Sequence, residues 1–234
     1  MVSIGIGRFA IGRLARCFGA LVLSVAAQLA FAQGTDVGLV NQVKGAVSYS
    51  GQGGSSGTAK DFMRVREADR FVLPAGALLR IIFLQSGRQE TWSGPASFKL
   101  GATAGELLTG KAPQVVQLPP TVPLRVVRAP EMFQQAHMAR LGGIAVRGGP
   151  PRTRLVAAGD KAVIDGARTV YEQLRGAQSG GDITAQVYFA SVLAEYQQYE
   201  DMSGIVAEMR RLQPDNTDVQ ALSDWVALRL HKGK

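Results

Sequence analysis

The apolar residues of this chain repeat with two different periods, and this change is the strongest constraint on its fold. Between Val37 and Leu118 they occur in short runs or alternate with polar residues, as in β-strands. From Lys161 onward they recur every three to four positions, as on one face of a helix. Strands followed by helices predict an α+β fold with more than one domain.

The first part of the chain combines short strand patterns with a glycine at nearly every turn. The run ALLRIIFL is almost continuously apolar, and Gly76 and Gly87 lie at its two ends, so we expect a central strand there. Short and evenly spaced strands of this kind are typical of an all-β module. We predict such a module over residues 33–118.

Prolines and glycines separate the two parts. Five prolines stand between Pro113 and Pro130, and they predict an extended edge strand or a linker because proline lacks a backbone donor. The stretch EMFQQAHMARL can form one short helix, which Gly142-Gly143 would end. We predict a linker with this short helix over residues 119–160.

Residues 161–234 show the pattern of a small helical domain. Asp182 and Ser203 are positioned to cap two of its helices, and Pro214 ends the second of these. Short connections between the last three helices predict that neighbouring helices run antiparallel.

The first 32 residues have the parts of a secretory signal peptide. Arg8, Arg13 and Arg16 form a basic region, and the uncharged run CFGALVLSVAAQLAFA follows. Its Ala-Phe-Ala end suits signal peptidase, so we expect cleavage after Ala32 and a periplasmic location in a bacterium. The run is short for a membrane-spanning helix, which needs about 20 residues. The mature chain is therefore predicted to have no membrane span.

The mature chain lacks cysteine, because Cys17 falls within the signal segment. Disulfides, thiolate metal sites and cysteine nucleophiles are therefore excluded. Without the signal arginines the chain has 23 Lys and Arg against 18 Asp and Glu, a net charge of +5. The positive excess precedes Asp182, which fits either contact with anionic envelope polymers or an ordinary solvated surface.

No catalytic, cofactor or metal site can be identified from the sequence. His137 and His231 are far apart, and neither stands in a recognisable arrangement with a nucleophile. The acidic stretch after Pro214 lacks the glycine and the glutamate of a calcium loop. The loop GQGGSSG does not match a phosphate-binding motif. We therefore expect a non-enzymatic protein that takes no cofactor and binds no nucleic acid.

Two sets of residues are candidate contact sites. Arg88, Glu90 and Trp92 alternate along one strand, so they share a face, and we interpret them as a surface cluster with a candidate partner contact. The densest basic run of the mature chain is VRGGPPRTR, which is a candidate contact for an anionic polymer or else a solvated linker. The arginines of this run are Arg147, Arg152 and Arg154.

Three blocks of residues 37–118 follow one another in a fixed order: VNQVKGAVSYS, FMRVREADRFVLPAGALLRIIFLQSG and RQETWSGPASFKLG. Their order and spacing resemble the FecR domain family, named for a periplasmic regulator of ferric-citrate uptake. Ala68 stands where that family usually has a glycine before its aspartate, here Asp69. The resemblance implies a β-rich envelope module, solenoid-like or a sandwich, that contacts other proteins or envelope polymers. The anti-sigma segment and membrane span of the regulator have no counterpart in this sequence, so we do not expect the sigma-factor role.

Small or apolar residues stand ahead of Pro214 at the spacing of a helical repeat. They are Ala190, Leu193, Tyr199, Val206 and Met209. This spacing resembles a degenerate tetratricopeptide unit, although only about one and a half units are present where arrays usually need three. A helical hairpin packed on the β module fits the pattern equally well.

Together these features predict a non-enzymatic protein of the bacterial cell envelope that acts as an interaction or sensory adaptor. The expected partner is another envelope protein. The alternative is a periplasmic protein that binds peptidoglycan or another anionic polymer of the cell wall.

Overall fold

A computed structural model describes residues 35–51, 54–141, 157–178 and 180–231. The strands are β1 Asp36–Lys44, β2 Ser48–Ser50, β3 Ser56–Thr58, β4 Arg64–Arg66, β5 Arg70–Leu73, β6 Leu78–Phe83, β7 Arg88–Ser93, β8 Ala96–Leu100, β9 Gly105–Thr109 and β10 Gln114–Gln117. The helices are α1 Thr121–Val126, α2 Ala129–Leu141, α3 Ala158–Gly176, α4 Thr184–Glu195, α5 Tyr199–Leu212 and α6 Thr217–His231. All of these strands precede the helices, so the predicted α+β order with a β-rich N-terminal part is confirmed.

The strands of the described residues form two antiparallel sheets of five strands each. The inner sheet has the order β10-β7-β6-β1-β4, and the outer sheet has the order β3-β2-β5-β8-β9. Apolar side chains from both sheets share one core, in which the ring centroids of Trp92 on β7 and Phe98 on β8 lie 3.9 Å apart. The two sheets are therefore a sandwich, which is one of the two predicted forms.

The inner sheet is the middle layer of three. Leu79 and Ile81 of β6 point into the sandwich core, whereas Ile82 of β6 and Leu39 of β1 join a second core with the helices. The sequence of β6 is almost continuously apolar because both of its faces are buried. The prediction of a central strand in the run ALLRIIFL is confirmed, since β6 is the middle strand of its sheet.

The segment predicted as a linker is largely helical where it is described. Helices α1 and α2 bury Val122, Val126 and Phe133 in the core that they share with the inner sheet. Strands and helices consequently belong to one compact unit that begins at Thr35. Residues 142–156 of the predicted linker lie outside the described residues.

The prolines of this segment occupy the ends of an edge strand and the starts of helices. Pro113 directly precedes β10, which pairs with β7 at the edge of the inner sheet, so the predicted edge strand is confirmed. Pro123 and Pro130 lie in the first turns of α1 and α2, where a missing N–H needs no intrahelical partner. Proline at these positions starts a helix, so residues 121–126 are helical where an extended strand or a linker was expected, and α2 contains the predicted short helix EMFQQAHMARL.

The predicted C-terminal helices are present, but some of their ends differ. Helix α4 ends at Glu195, and Gln197 directly after it adopts a φ of 58°. Gln198 N–H donates to the Leu193 carbonyl at 2.8 Å, which closes this helix end. Helix α5 then begins at Tyr199, so Ser203 lies inside the helix and is not its cap.

Ala68 lies in the turn between β4 and β5 with a φ of 66°, a conformation that residues with a Cβ disfavour. Replacing Ala68 with glycine is expected to raise the free energy of unfolding by about 1 kcal/mol, because glycine adopts this φ without steric cost. Urea denaturation measures the difference. The control is Ala102→Gly in the exposed bend after β8, which has no positive φ and should lower stability slightly. Equal losses in both variants would contradict the strain at Ala68.

Candidate functional site

Glu90 is a fully buried carboxylate at the edge of the sandwich, and three donors hold it. It accepts hydrogen bonds from Trp92 Nε1 at 3.0 Å, from Arg88 Nε at 2.6 Å and from the Gly105 N–H at 3.1 Å. Trp92 is also fully buried and stacks on Phe98 of the outer sheet. Arg88 is the member that solvent reaches, with 37% of its side chain exposed.

This cluster corrects one interpretation of the sequence. The predicted common face of Arg88, Glu90 and Trp92 is present, but the outer sheet covers it. Glu90 and Trp92 cannot contact a partner in the folded chain because neither is exposed. The cluster instead ties the start of β9 to β7 through the bond from Gly105.

A second group of polar side chains joins the inner sheet to the start of α4, and we call it the interface network. Its members are Asn41, Gln42, Arg80, Gln89, Asp182 and Thr184. Each is at most 6% exposed. Strands β1, β6 and β7 supply the first four, and the N-terminal end of α4 supplies the last two. The contact between sheet and helices is thus polar at this point, although apolar residues surround it.

Asp182 is the central acceptor of the interface network. Its carboxylate accepts hydrogen bonds from Gln89 Nε2 at 2.9 Å and from the Thr184 N–H at 2.8 Å. The second bond satisfies a donor at the start of α4, but Ile183 occupies the N-cap position, so Asp182, the predicted cap, lies one residue before it. Arg80 Nη1 lies 3.4 Å from the same carboxylate and donates to Gln42 Oε1 at 2.8 Å.

Arg80 and Asp182 are opposite charges removed from water. Burial lowers the pKa of the Arg80 guanidinium, and the Asp182 carboxylate partly offsets that effect. Each charge is tolerated at this depth because the other compensates it. Asn41 Nδ2 donates to Thr184 Oγ1 at 2.7 Å, but Asn41 Oδ1 accepts no hydrogen bond from the described residues. None of the described residues therefore compensates the burial of this amide oxygen, whose loss of water costs free energy.

A third cluster, the Asp61 junction, joins the loop before β4 to the start of α6. Asp61 accepts hydrogen bonds from the Val43 N–H at 2.6 Å and from Asn216 Nδ2 at 2.9 Å. Burial raises the pKa of Asp61 from 3.8 to about 6, with a smaller lowering by the Val43 N–H and a smaller raising by the Asp218 carboxylate. Asp61 is therefore largely protonated at pH 5 and largely ionised at pH 7.

The same junction contains the cap of α6 and a contact with α2. Asn216 Oδ1 accepts hydrogen bonds from the N–H groups of Asp218 and Val219, at 3.0 and 3.1 Å, and so caps the helix. Asp218 Oδ1 lies 2.6 Å from Nε2 of His137 on α2. His137 thus links α2 to the first turn of the neighbouring helix α6.

The loop residue next to Asp61 has a strained backbone. Phe62 adopts a φ of 58°, which is rare for an aromatic residue. Its side chain is buried and stacks on Phe133 of α2, with ring centroids 4.0 Å apart. A conformation of this kind persists only where surrounding contacts enforce it, and here the contact with α2 does so.

An open groove runs between α2 and α6, with a volume of about 380 Å³. It is lined by Ala136, Ala139, Arg140, Asp224, Trp225, Ala227, Leu228 and His231. The lining is mostly apolar, and Leu228 is 46% exposed. Arg140 Nε lies 3.9 Å from Asp224 Oδ2, so one positive and one negative group stand side by side at the groove.

A polar cleft lies beside β1, β2 and β4. It is lined by Asp36, Tyr49, Ser55, Arg64, Arg66 and Asp69. Asp36 lies 3.4 Å from Arg64 and 3.5 Å from Arg66, and Arg64 also pairs with Glu131. Because carboxylates balance both guanidinium groups, this cleft presents no net positive charge to an anionic polymer.

The predicted polymer contacts Arg147, Arg152 and Arg154 lie outside the described residues. Within the described ranges, no three His, Cys, Asp or Glu side chains come together as metal ligands would. Each helix in the described part of the chain is too short or too polar to be a membrane span.

Sequence reasoning missed the polar contacts between sheet and helices. Their partners are distant in the chain: Gln89 bonds Asp182 across 93 positions, and Asp61 bonds Asn216 across 155. One local signal was available, because Arg80 interrupts an otherwise apolar run. A charged residue within a central strand must be paired if it is buried, so it points to a buried ionic contact.

No protein-family model, no curated protein and no solved structure matches this chain. The likeness to FecR domains and to tetratricopeptide units therefore rests on the quoted residues alone. Its function has to be argued from the surfaces and contacts described above.

Proposed function

We propose that this chain is a non-enzymatic protein of the bacterial envelope that acts as an interaction or sensory adaptor. It is exported, cleaved after Ala32 and works in the periplasm, where it binds another envelope protein. The observation that carries the proposal is the groove between α2 and α6, which leaves apolar surface open to solvent on the helical layer.

The groove suits an amphipathic helix of the partner. Its alanine side chains leave room for a second helix to approach closely, and Leu228 offers apolar contact area. Helices that bind in grooves use apolar residues at spacings of three and four for such contacts. Arg140 and Asp224 would then select a partner helix with one complementary charge of each sign.

Features of the sequence support the same role. The FecR-like blocks imply contact with other proteins or envelope polymers. Position 68, where that family usually has glycine, has the positive φ that glycine favours. The tetratricopeptide-like spacing in α4 and α5 implies recognition of a protein or peptide.

Replacing Leu228 with glutamate is expected to weaken partner binding by at least about tenfold, because the new carboxylate would lose its water at the interface. The fold should survive, since Leu228 is half exposed in the free chain. The partner is first captured from an envelope extract and identified by mass spectrometry. Calorimetry with the purified partner then gives the affinity of each variant.

The matched control is Val163→Glu on α3, which is 42% exposed and lies outside the groove. Binding that Val163→Glu retains and Leu228→Glu loses supports the groove as the site. Equal affinities for both variants would refute it. Deleting the chain after Gly181 is not a usable test, because ten consecutive residues of α4 are buried and their loss would open the core.

Binding to a cell-wall polymer is the alternative function, and Arg147, Arg152 and Arg154 are its candidate contacts. Sedimentation with purified peptidoglycan at low salt, lost at high salt, would favour this alternative. The Leu228→Glu variant would sediment like the unmodified chain in that case. The polar cleft does not favour this function, because its charges are balanced.

A further inference from the structure

The Asp61 junction lies where the sandwich, α2 and α6 meet, and its contacts depend on charge. We propose that this junction is a latch that tightens on acidification from neutral pH to about pH 5 and so fixes α6 and α2 more firmly to the sandwich. The latch is a property of the chain itself and does not require a partner.

The first argument is the way in which Asp61 is connected to α6. Asn216 donates to the Asp61 carboxylate with its Nδ2 and caps the helix with its Oδ1. Asp61 also holds β1 through the Val43 N–H. One carboxyl group therefore joins the sandwich to the capping residue of a helix, and weakening its contacts weakens the start of α6.

The second argument is the charge around this carboxyl group. On the helical side it faces Asp218 of α6, which in turn contacts His137 of α2. On the sandwich side the charged residues are Lys60, beside Asp61 in the chain, and Lys44 at the end of β1. The hydrogen-bond donors that the described residues supply to Asp61 are both uncharged amides. An ionised Asp61 is thus partly buried near a like charge, without a cation bonded to it.

The direction of the effect follows from the two states of Asp61. In the closed junction its pKa is about 6, whereas an open, solvated Asp61 would have the ordinary value of 3.8. Protonation of Asp61 therefore stabilises the closed form relative to the open form. This stabilisation is fully present below pH 4 and is lost as the pH rises through about 6. From pH 5 to pH 7 the equilibrium for opening should rise about tenfold.

His137 links α2 to the same junction, because its Nε2 lies 2.6 Å from Asp218 Oδ1. Acidification acts on this junction by removing the unfavourable charge of Asp61.

The third argument is the backbone strain beside Asp61. The positive φ of Phe62 is held by its stacking on Phe133, so opening the junction would release an unfavourable conformation. Because the loop is strained in the closed junction, an open state without this strain is available, and ionisation of Asp61 can favour it. The same helices, α2 and α6, form the groove, so a pH effect on partner binding would follow; that consequence rests on the proposed function.

Hydrogen exchange of the full chain tests the latch without a partner. The protection factors of the Asp218, Val219 and Gln220 amides at the start of α6, each relative to the intrinsic rate at that pH, should fall about tenfold from pH 5 to pH 7. Amides of the central strand β6 should not show this dependence. Asp61→Asn cannot ionise and should flatten the dependence, whereas His137→Gln should retain most of it.

The control is Asp165→Asn, an exposed carboxylate paired with Lys161 on α3, which should behave like the unmodified chain. The same pH dependence in Asp61→Asn as in the unmodified chain would overturn the proposal, as would its complete loss in His137→Gln alone. If Asp61→Asn does not fold, the carboxyl carbon of Asp61 is titrated by NMR, and a midpoint near pH 4 would also overturn it. If the groove variants do not change partner binding, the latch proposal is unaffected, because hydrogen exchange is measured on the chain without a partner.

Discussion

Replacing Asp182 with alanine is expected to lower the free energy of unfolding by about 3–5 kcal/mol, because it leaves the Arg80 guanidinium buried without a compensating charge. Gln89 Nε2 and the Thr184 N–H lose their acceptor in the same change. Urea denaturation followed by far-ultraviolet circular dichroism measures the loss. An effect of this size would show that the polar contact between sheet and helices is essential to the fold.

The double variant Arg80→Met/Asp182→Ala should be more stable than Asp182→Ala, because it no longer contains an isolated buried charge. A coupling of about 1–3 kcal/mol is expected for residues that share one network. Asp201→Ala is the control, since its ion pair with Arg168 is half exposed and should contribute less than about 1 kcal/mol. Strictly additive losses in the double variant would argue against a coupled pair.

Replacing Trp92 with alanine is expected to cost about 3–5 kcal/mol of stability. The indole is fully buried, stacks on Phe98 and donates to the buried carboxylate of Glu90. Its removal would leave a cavity between the two sheets and take one donor from Glu90. Thermal and urea denaturation measure the loss. A residue whose role was partner contact would instead weaken binding and leave the stability of the free chain unchanged.

Trp92→Phe separates the two contributions. It keeps an aromatic ring against Phe98 but removes the indole N–H, so it should cost about 1–3 kcal/mol, less than the alanine variant. Equal losses for the two variants would assign the whole effect to the hydrogen bond with Glu90. No loss in either variant would contradict the burial of Trp92 in the sandwich.

The features that could be predicted from the sequence are those that neighbouring residues determine. Period-two patterns and glycine turns predicted the β-rich half, and the apolar run around Ile81 predicted a central strand. The sequence also indicated that Asp182 bonds the start of α4, because its main-chain partner, Thr184, is two residues away. The common face of Arg88 and Trp92 followed from strand alternation alone.

The features that could not be predicted depend on which distant segments come together. Alternation shows that Trp92 and Glu90 share a face, but not that a second sheet lies over it. Likewise, a single aspartate such as Asp61 carries no local sign that the cap of a helix 155 positions later will cover it. The Pro-rich segment was misjudged for another reason, since proline is compatible with a linker and with the first turn of a helix.

The prolines around β10 also limit what the open edge of the inner sheet can do. The Leu118 N–H donates to the Gly87 carbonyl on the β7 side, and successive N–H groups of a strand alternate in direction. The positions whose N–H would point away from β7 are therefore 113, 115, 117 and 119, and the first and last of these are Pro113 and Pro119. A foreign strand would find only two donors between them, so this edge is a poor template for the growth of fibrils.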